Sequence, residues 1–261
     1  MSNACVILSG GQDSTTCLFW ARQHFAEVHA VTFDYGQKHR IELDAAREVA
    51  EMAGVASHEV IAVPGILHGR SPLVNAAEAL ETYDSFASMD QIIGERVERT
   101  FVPMRNLLFL VLAANRAICA NIRDLVTGVC QADNANYPDC RASFVSGAES
   151  AITLALGLDK PGFGPGFTVH TPLIDMSKAD SIRLAQSLPG CMDALAYSHT
   201  AYDGTYPPVS MDHASVLRAH GFEQAGVPDP LVLRAWREGL MPLPATANYA
   251  AQRAQPGLAF A

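Results

Sequence analysis

Ser9-Gly10-Gly11-Gln12-Asp13-Ser14-Thr15 interrupts an apolar run that starts at Cys5 and resumes as an amphipathic stretch. Residues of these types in this order fit an anion cradle at a strand-to-helix turn. Adjacent glycines let backbone approach an anion closely, while Ser14, Thr15 and the free amides of a helix start supply donors aligned with the helix dipole. Two commoner nucleotide loops are excluded by spacing. A Walker loop needs G-x-x-x-x-G-K-[ST], yet no such lysine follows Gly11, and the dinucleotide pattern G-x-G-x-x-G is absent.

Further polar groups recur at the ends of apolar segments. Asp34-Tyr35-Gly36-Gln37-Lys38-His39 follows the second such segment; Val102-Pro103-Met104-Arg105-Asn106 and Thr127-Gly128-Val129-Cys130 come later. Asp133 leads into Tyr137-Pro138-Asp139-Cys140-Arg141, and Lys178 follows Thr171-Pro172-Leu173-Ile174. Arg105 carries a planar fork suited to carboxylate or phosphate oxygens. Lys178 reads equally as a cation for phosphates or as a solvated lysine at a helix start. Six cysteines without C-x-x-C spacing signal neither a disulfide frame nor a zinc ribbon, and packing is the expected role of Cys130 and Cys140.

The elements that must position these groups alternate. Segments 5–8, 28–33, 59–63 and 125–129 have strand length, and 167–174 is strand-like. Periodicity predicts helices over 14–24, 40–53, 106–120 and 143–156. Alternation of this kind implies βαβ units in a parallel sheet, with ligands at the carboxyl ends of its strands. Residues 64–100 break the rhythm and read as an insertion that covers the site, 160–166 as a plain connection, 231–240 as an amphipathic helix, and the last ten or so residues as disordered. With 261 residues, 49% hydrophobic and 17% charged, one α/β domain with an appendage is expected. A net charge of -9 without a basic block argues against nucleic acid as a partner and for a small-molecule substrate. The apolar run 107–114 is too short to span a bilayer, and no secretory signal is read before the first strand, so a cytoplasmic protein is expected.

The S-G-G-Q-D-S loop is similar to the S-G-G-x-D-S loop of PP-loop pyrophosphatases, which split ATP into AMP and pyrophosphate. With the D-Y-G-Q-K-H, V-P-M-R-N, T-G-V-C, Y-P-D-C-R and T-P-L-I segments, the chain resembles the 7-cyano-7-deazaguanine synthase family of queuosine biosynthesis from about residue 4 to about residue 230. The resemblance implies a Rossmann-like α/β fold, a parallel sheet with helices on both faces, over residues 1–190, and a small helical appendage over 191–261. It implies ATP-dependent conversion of 7-carboxy-7-deazaguanine with ammonia to the nitrile, through an acyl-adenylate and an amide, with Mg²⁺ and a homodimer. Leu8, Ser9, Gly10, Gly11, Gln12, Asp13, Ser14, Thr15, Asp34, Tyr35, Gln37 and His39 would bind the nucleotide. Arg105, Asn106, Asp133, Tyr137, Asp139 and Arg141 would bind the substrate, and Arg105, Lys178 and Asp13 would act in catalysis.

Departures from the family pattern limit this expectation. Its four C-terminal zinc cysteines fall on Ala201, Val209, Asp212 and Ser215, although the frame Leu217-Arg218-Ala219-His220-Gly221-Phe222 remains. Zinc is therefore expected to be absent, with packing of Val209, Met211, Ala214, Val216, Leu217 and Phe222 in its stead. An aromatic and a glycine of the substrate segment give way to residues 134–136, and Met104 stands where the family has glycine or alanine. These changes touch the acceptor side. They keep open a paralogue that passes the activated carboxylate to another amine, such as a protein amine, or a non-catalytic nucleotide-binding protein.

Overall fold

Strand β1 (Ala4–Ile7) is apolar throughout because helices cover both faces of the sheet it centres. The computed structural model describes residues 1–37, 40–131, 136–162 and 166–254. Strands β1, β2 (Val28–Asp34), β3 (Ser57–Ala62), β4 (Asp124–Val126) and β5 (Thr168–His170) pair in parallel in the order β3-β2-β1-β4-β5. The chain winds outward from β1 through β2 to β3, then resumes on the other side of β1 with β4. That reversal opens a crevice between the carboxyl ends of β1 and β4, where ligands of such sheets bind.

Helices α1 (Gln12–His24) and α2 (Ile41–Ala53) cover one face, and α3 (Phe86–Ile93) lies away from the sheet. Helices α4 (Arg105–Cys119) and α5 (Ala142–Ala155) cover the opposite face. The first face is completed by α6 (Lys178–Ser187) and α7 (Cys191–Leu195), with Val6, Leu18, Ile182 and Phe222 in its core. Helices α8 (His213–Ala225), α9 (Pro230–Arg237) and α10 (Ala250–Arg253) follow. Among the described residues no helix is long and apolar enough to cross a membrane.

Three local differences from the periodicity have physical causes. Strand β4 stops at Val126 where Gly128 crosses the start of α1. A Cβ on Gly128 would lie 3.0 Å from the Asp13 carbonyl carbon and from the Ser14 nitrogen. Strand β5 stops at His170, two residues before Pro172, which has no N–H for a ladder. Within 64–100, α3 begins at a Ser85–Ser88 capping box; it is short and buries only Met89 and Ile93, too little to show as a period. The expected disordered tail falls largely on 255–261, and 163–165 of the expected connection likewise lie outside the described residues.

The replaced zinc positions are held chiefly by hydrogen bonds. Val209 is 58% and Met211 41% exposed, so neither packs as expected, while Val216, Leu217 and Phe222 are buried. Asp212, 1% exposed, accepts the Tyr202 N–H at 2.7 Å, the Ser210 hydroxyl at 2.9 Å and the Ser215 N–H at 2.9 Å. One carboxylate thus ties the chain beside the first position to the fourth and caps α8. Beneath it, Arg218 forms a bidentate pair with Asp229 at 2.7 and 2.8 Å and donates to the Ser198 and Thr200 hydroxyls. The set contains no thiol and the one carboxylate already accepts three hydrogen bonds, which does not suit a tetrahedral zinc site. Asp212→Ala is expected to strand two amides and cost about 3 kcal/mol, read as a lower denaturant midpoint at unchanged slope. Metal analysis of the purified wild type is expected to find far less than one zinc per chain.

Candidate active site

The loop after β1 is built by its own short side chains. Gly10 takes φ +85°, a left-handed conformation open to glycine, and a Cβ there would lie 2.4 Å from the Glu42 carbonyl oxygen. The Ser9 and Ser14 hydroxyls meet at 3.0 Å, and the Ser14 and Thr15 hydroxyls donate to the Gly11 carbonyl at 3.1 and 2.8 Å. Gly11 caps α1 without a side-chain hydrogen bond, so the start of α1 keeps the character of an anion site. From far along the chain, the His199 N–H donates to the Gly10 carbonyl at 2.8 Å and closes the segment before α8 on this loop.

A cavity of about 300 Å³ opens between the carboxyl ends of β1 and β4. Of the sequence-predicted residues it gathers Leu8, Ser9, Gly11, Gln12, Asp13 and Ser14, then Tyr35, Gln37, Arg105, Asn106, Tyr137, Arg141 and Lys178. Gly10 and Thr15 support the loop from behind, and Thr15 is fully buried. Asp34 lies outside the lining, paired with Arg40 at 2.7 Å and accepting the Gly36 N–H. Asp139 also lies behind the wall, where its carboxylate accepts the Asn106 N–H at 3.4 Å and steadies the start of α4. His39 and Asp133 fall outside the described residues.

Lys178 opens α6 and directs Nζ to the Asp13 carboxylate at 2.7 Å, with only 11% of its side chain exposed. Gly221 makes this reach possible. A Cβ there would lie 2.4 Å from Lys178 Cγ, so only glycine lets α8 cross the stem so closely. Arg105 shares the cavity with three phenols. Burial opposes its charge, but Tyr35, Tyr202, Tyr137 and Asp139 more than offset this and hold its pKa above the ordinary arginine value. Burial in turn pushes the Tyr35 hydroxyl to about 12 despite Arg105. Phe33 and Phe109 stack at 4.3 Å and form an apolar wall.

The segment 64–100 reaches the site through one buried carboxylate. Glu98 accepts the Thr100 N–H at 2.7 Å and the Tyr137 hydroxyl at 3.2 Å, and the Thr100 hydroxyl also bonds both partners. Asn136 takes φ 55° and donates its amide to the carbonyls of Gly94 at 2.9 Å and Arg96 at 3.0 Å. Met104, also left-handed at φ 65°, is 62% exposed and outside the cavity lining. Glu42, His199 and Tyr202 line the cavity but escape sequence reasoning. For Glu42 a signal existed in its position at the start of the helix after Asp34–Gln37; His199 and Tyr202 arrive only through tertiary packing.

A glycine turn at the switch point of a doubly wound parallel sheet, with a lysine and an arginine lining the same cavity, defines an α/β protein with its site at the carboxyl ends of its strands. The chain belongs to the QueC family, whose model, described as queuosine biosynthesis protein QueC, matches residues 3–226. It is 46% identical to the 7-cyano-7-deazaguanine synthase of Gloeobacter violaceus over 88% of this chain and 96% of that protein. The synthase of the same name from Laribacter hongkongensis is also 46% identical, over 89% and 95%. That of Chromobacterium violaceum is 46% identical over 90% and 95%.

Proposed function

We propose that this chain makes 7-cyano-7-deazaguanine from 7-carboxy-7-deazaguanine, ammonia and ATP. The observation that carries the reading is the convergence of an anion loop and a cation suited to a carboxylate, Arg105, on one cavity of about 300 Å³. A nucleotide fits the donor set: besides Lys178 and the start of α1, the buried Gln12 Nε2 has no hydrogen-bond partner among the described residues. The stacked Phe33 and Phe109 offer a flat apolar wall to a planar base.

The substrate carboxylate attacks the α-phosphorus of ATP, pyrophosphate departs and ammonia displaces AMP to leave an amide. A second ATP activates the amide oxygen, and loss of AMP leaves the nitrile. Ser9, Gly11, Gln12 and Ser14 hold the phosphates, Lys178 and Asp13 set the charge beside them, and Arg105 steadies the carboxylate. Tyr137, Asn106 and Arg141 bound the deazaguanine side. Mg²⁺ would come on the triphosphate and neutralise its charge, a mode in which phosphates and water supply most ligands. Among the described residues no group of three or more His, Cys, Asp or Glu could form a dedicated cage.

Among the described residues, neither Met104 nor Asn136 belongs to the cavity lining, which favours the free nitrile over a conjugate; residues 134 and 135 lie outside the described residues. Incubation with carboxydeazaguanine, ATP and ammonium is expected to give nitrile by mass spectrometry. Accumulation of acyl-adenylate or amide alone would overturn the reading and favour transfer to another amine.

A further inference from the structure

Glu42 lies in the first turn of α2, where that helix touches the phosphate loop through the Gly10 contact. Glu42 lines the cavity together with Arg105 on α4, Tyr35 after β2 and Tyr202 before α8, and its carboxyl is coupled electrostatically to these three groups and to Asp212 at the cap of α8. Glu42 is therefore set between the loop that suits phosphates and the cation that suits a carboxylate. An acyl group joined to an α-phosphate must lie between the same two features.

Two carboxylates line the cavity among the described residues, Asp13 and Glu42. Asp13 is held by Lys178 at 2.7 Å. We propose that Glu42 is the proton acceptor of the amination steps, an inference that rests on the synthase reading above. When ammonia adds to the activated carbonyl carbon, a C–N bond forms and the C–O bond to AMP breaks, its electron pair leaving with AMP. One N–H proton must then depart, and the Glu42 carboxylate takes it. In the second round the amide oxygen leaves on AMP, both remaining N–H protons are lost and the C≡N bond forms. Glu42 accepts each proton in turn and passes it to solvent between events.

The electrostatics suit that work. Burial pushes the Glu42 carboxyl up to about 7, Arg105 pulls it down and Asp212 raises it. A base poised near the operating pH accepts and releases protons readily. Adenylation needs no such group, because a carboxylate is already the nucleophile.

The test separates the two halves of the reaction. ATP–pyrophosphate exchange with carboxydeazaguanine and no ammonia reads adenylation, and amide formation at saturating ammonium reads amination. In the wild type, amination is expected to carry an acidic limb with an apparent pKa near 7 that exchange lacks. Glu42→Gln is expected to lower amination at least ~10²-fold more than exchange and to abolish that limb, with Glu42→Asp recovering part of both. Equal effects on the two half-reactions, or a wild type without the limb, would overturn the inference. The wild-type profile decides alone if Glu42→Gln fails to fold. A wild type without exchange would overturn the synthase reading and this inference with it, whereas exchange with a normal Glu42→Gln amination rate overturns the inference only.

Discussion

Replacing Arg105 with lysine is expected to lower kcat/KM for nitrile formation about 10²–10³-fold, equivalent to about 2.7–4 kcal/mol of transition-state stabilisation. Lysine keeps the charge but loses the planar fork that holds two oxygens at once. Arg105 is also the cation around which Tyr35, Tyr202, Tyr137 and Asp139 are grouped. Arg105→Met should be more damaging, because it leaves Glu42 without the charge that now lowers its pKa. The sign follows directly: without Arg105 the Glu42 carboxyl rises further above about 7, and any rate limb that depends on its ionisation moves to higher pH. Steady-state kinetics of both variants across pH check the loss of rate and the direction of the shift. Retention of wild-type kcat/KM by Arg105→Lys would remove the fork from the mechanism.

Lys178→Met is expected to reduce turnover by about 10²-fold and to raise the KM for ATP, since the variant removes a cation from the cavity and with it the 2.7 Å ion pair to Asp13. The pair is partly exposed, at 11% for Lys178 and 24% for Asp13, so much of the effect should appear in catalysis and less in folding. Asp13→Asn combined with Lys178→Met should lose less than the sum of the single variants, because the two residues are in direct contact and each single change already breaks their ion pair. Gly221→Ala tests the same arrangement from behind. Its Cβ would fall 2.4 Å from Lys178 Cγ and 2.9 Å from Lys178 Cβ, so the stem must shift away from Asp13. The expected result is slower turnover together with about 1–3 kcal/mol of lost stability from overpacking. Kinetics and denaturant unfolding separate the two effects; a Gly221→Ala protein with wild-type ATP kinetics would show that the close crossing does not aim Lys178.

The strand-turn-helix around Gly10 and Gly11 was legible because everything that makes it is contiguous: an apolar strand, a glycine pair, then hydroxyls at a helix start. Helices α2, α4 and α5 were legible for a similar reason, since each carries its apolar stripe within its own residues, whereas α1 buries Gln12, Ser14, Thr15 and Thr16 beside its apolar residues. Arg105 and Tyr137 could be singled out by type and neighbourhood. Their setting could not: Tyr137 is held by Glu98 and Thr100 from an insertion that carries almost no periodic signal. The exposure of Val209 and Met211 shows the limit of reading apolar residues as core, because the replaced zinc positions are joined by hydrogen bonds to Asp212 instead.

By itself, then, the sequence determined an anion-binding turn in an alternating α/β chain and the family motifs around it, all of which are local patterns. The tertiary structure decided which distant groups share the cavity. Lys178 and Asp13 meet across 165 residues, and His199 closes on Gly10 from the segment before α8. Glu42 becomes a cavity carboxylate only because Gly10 lets α2 press against the loop. The physical reason is that local propensity acts over a few residues, whereas charge pairing, desolvation and close helix crossings depend on the winding of the sheet.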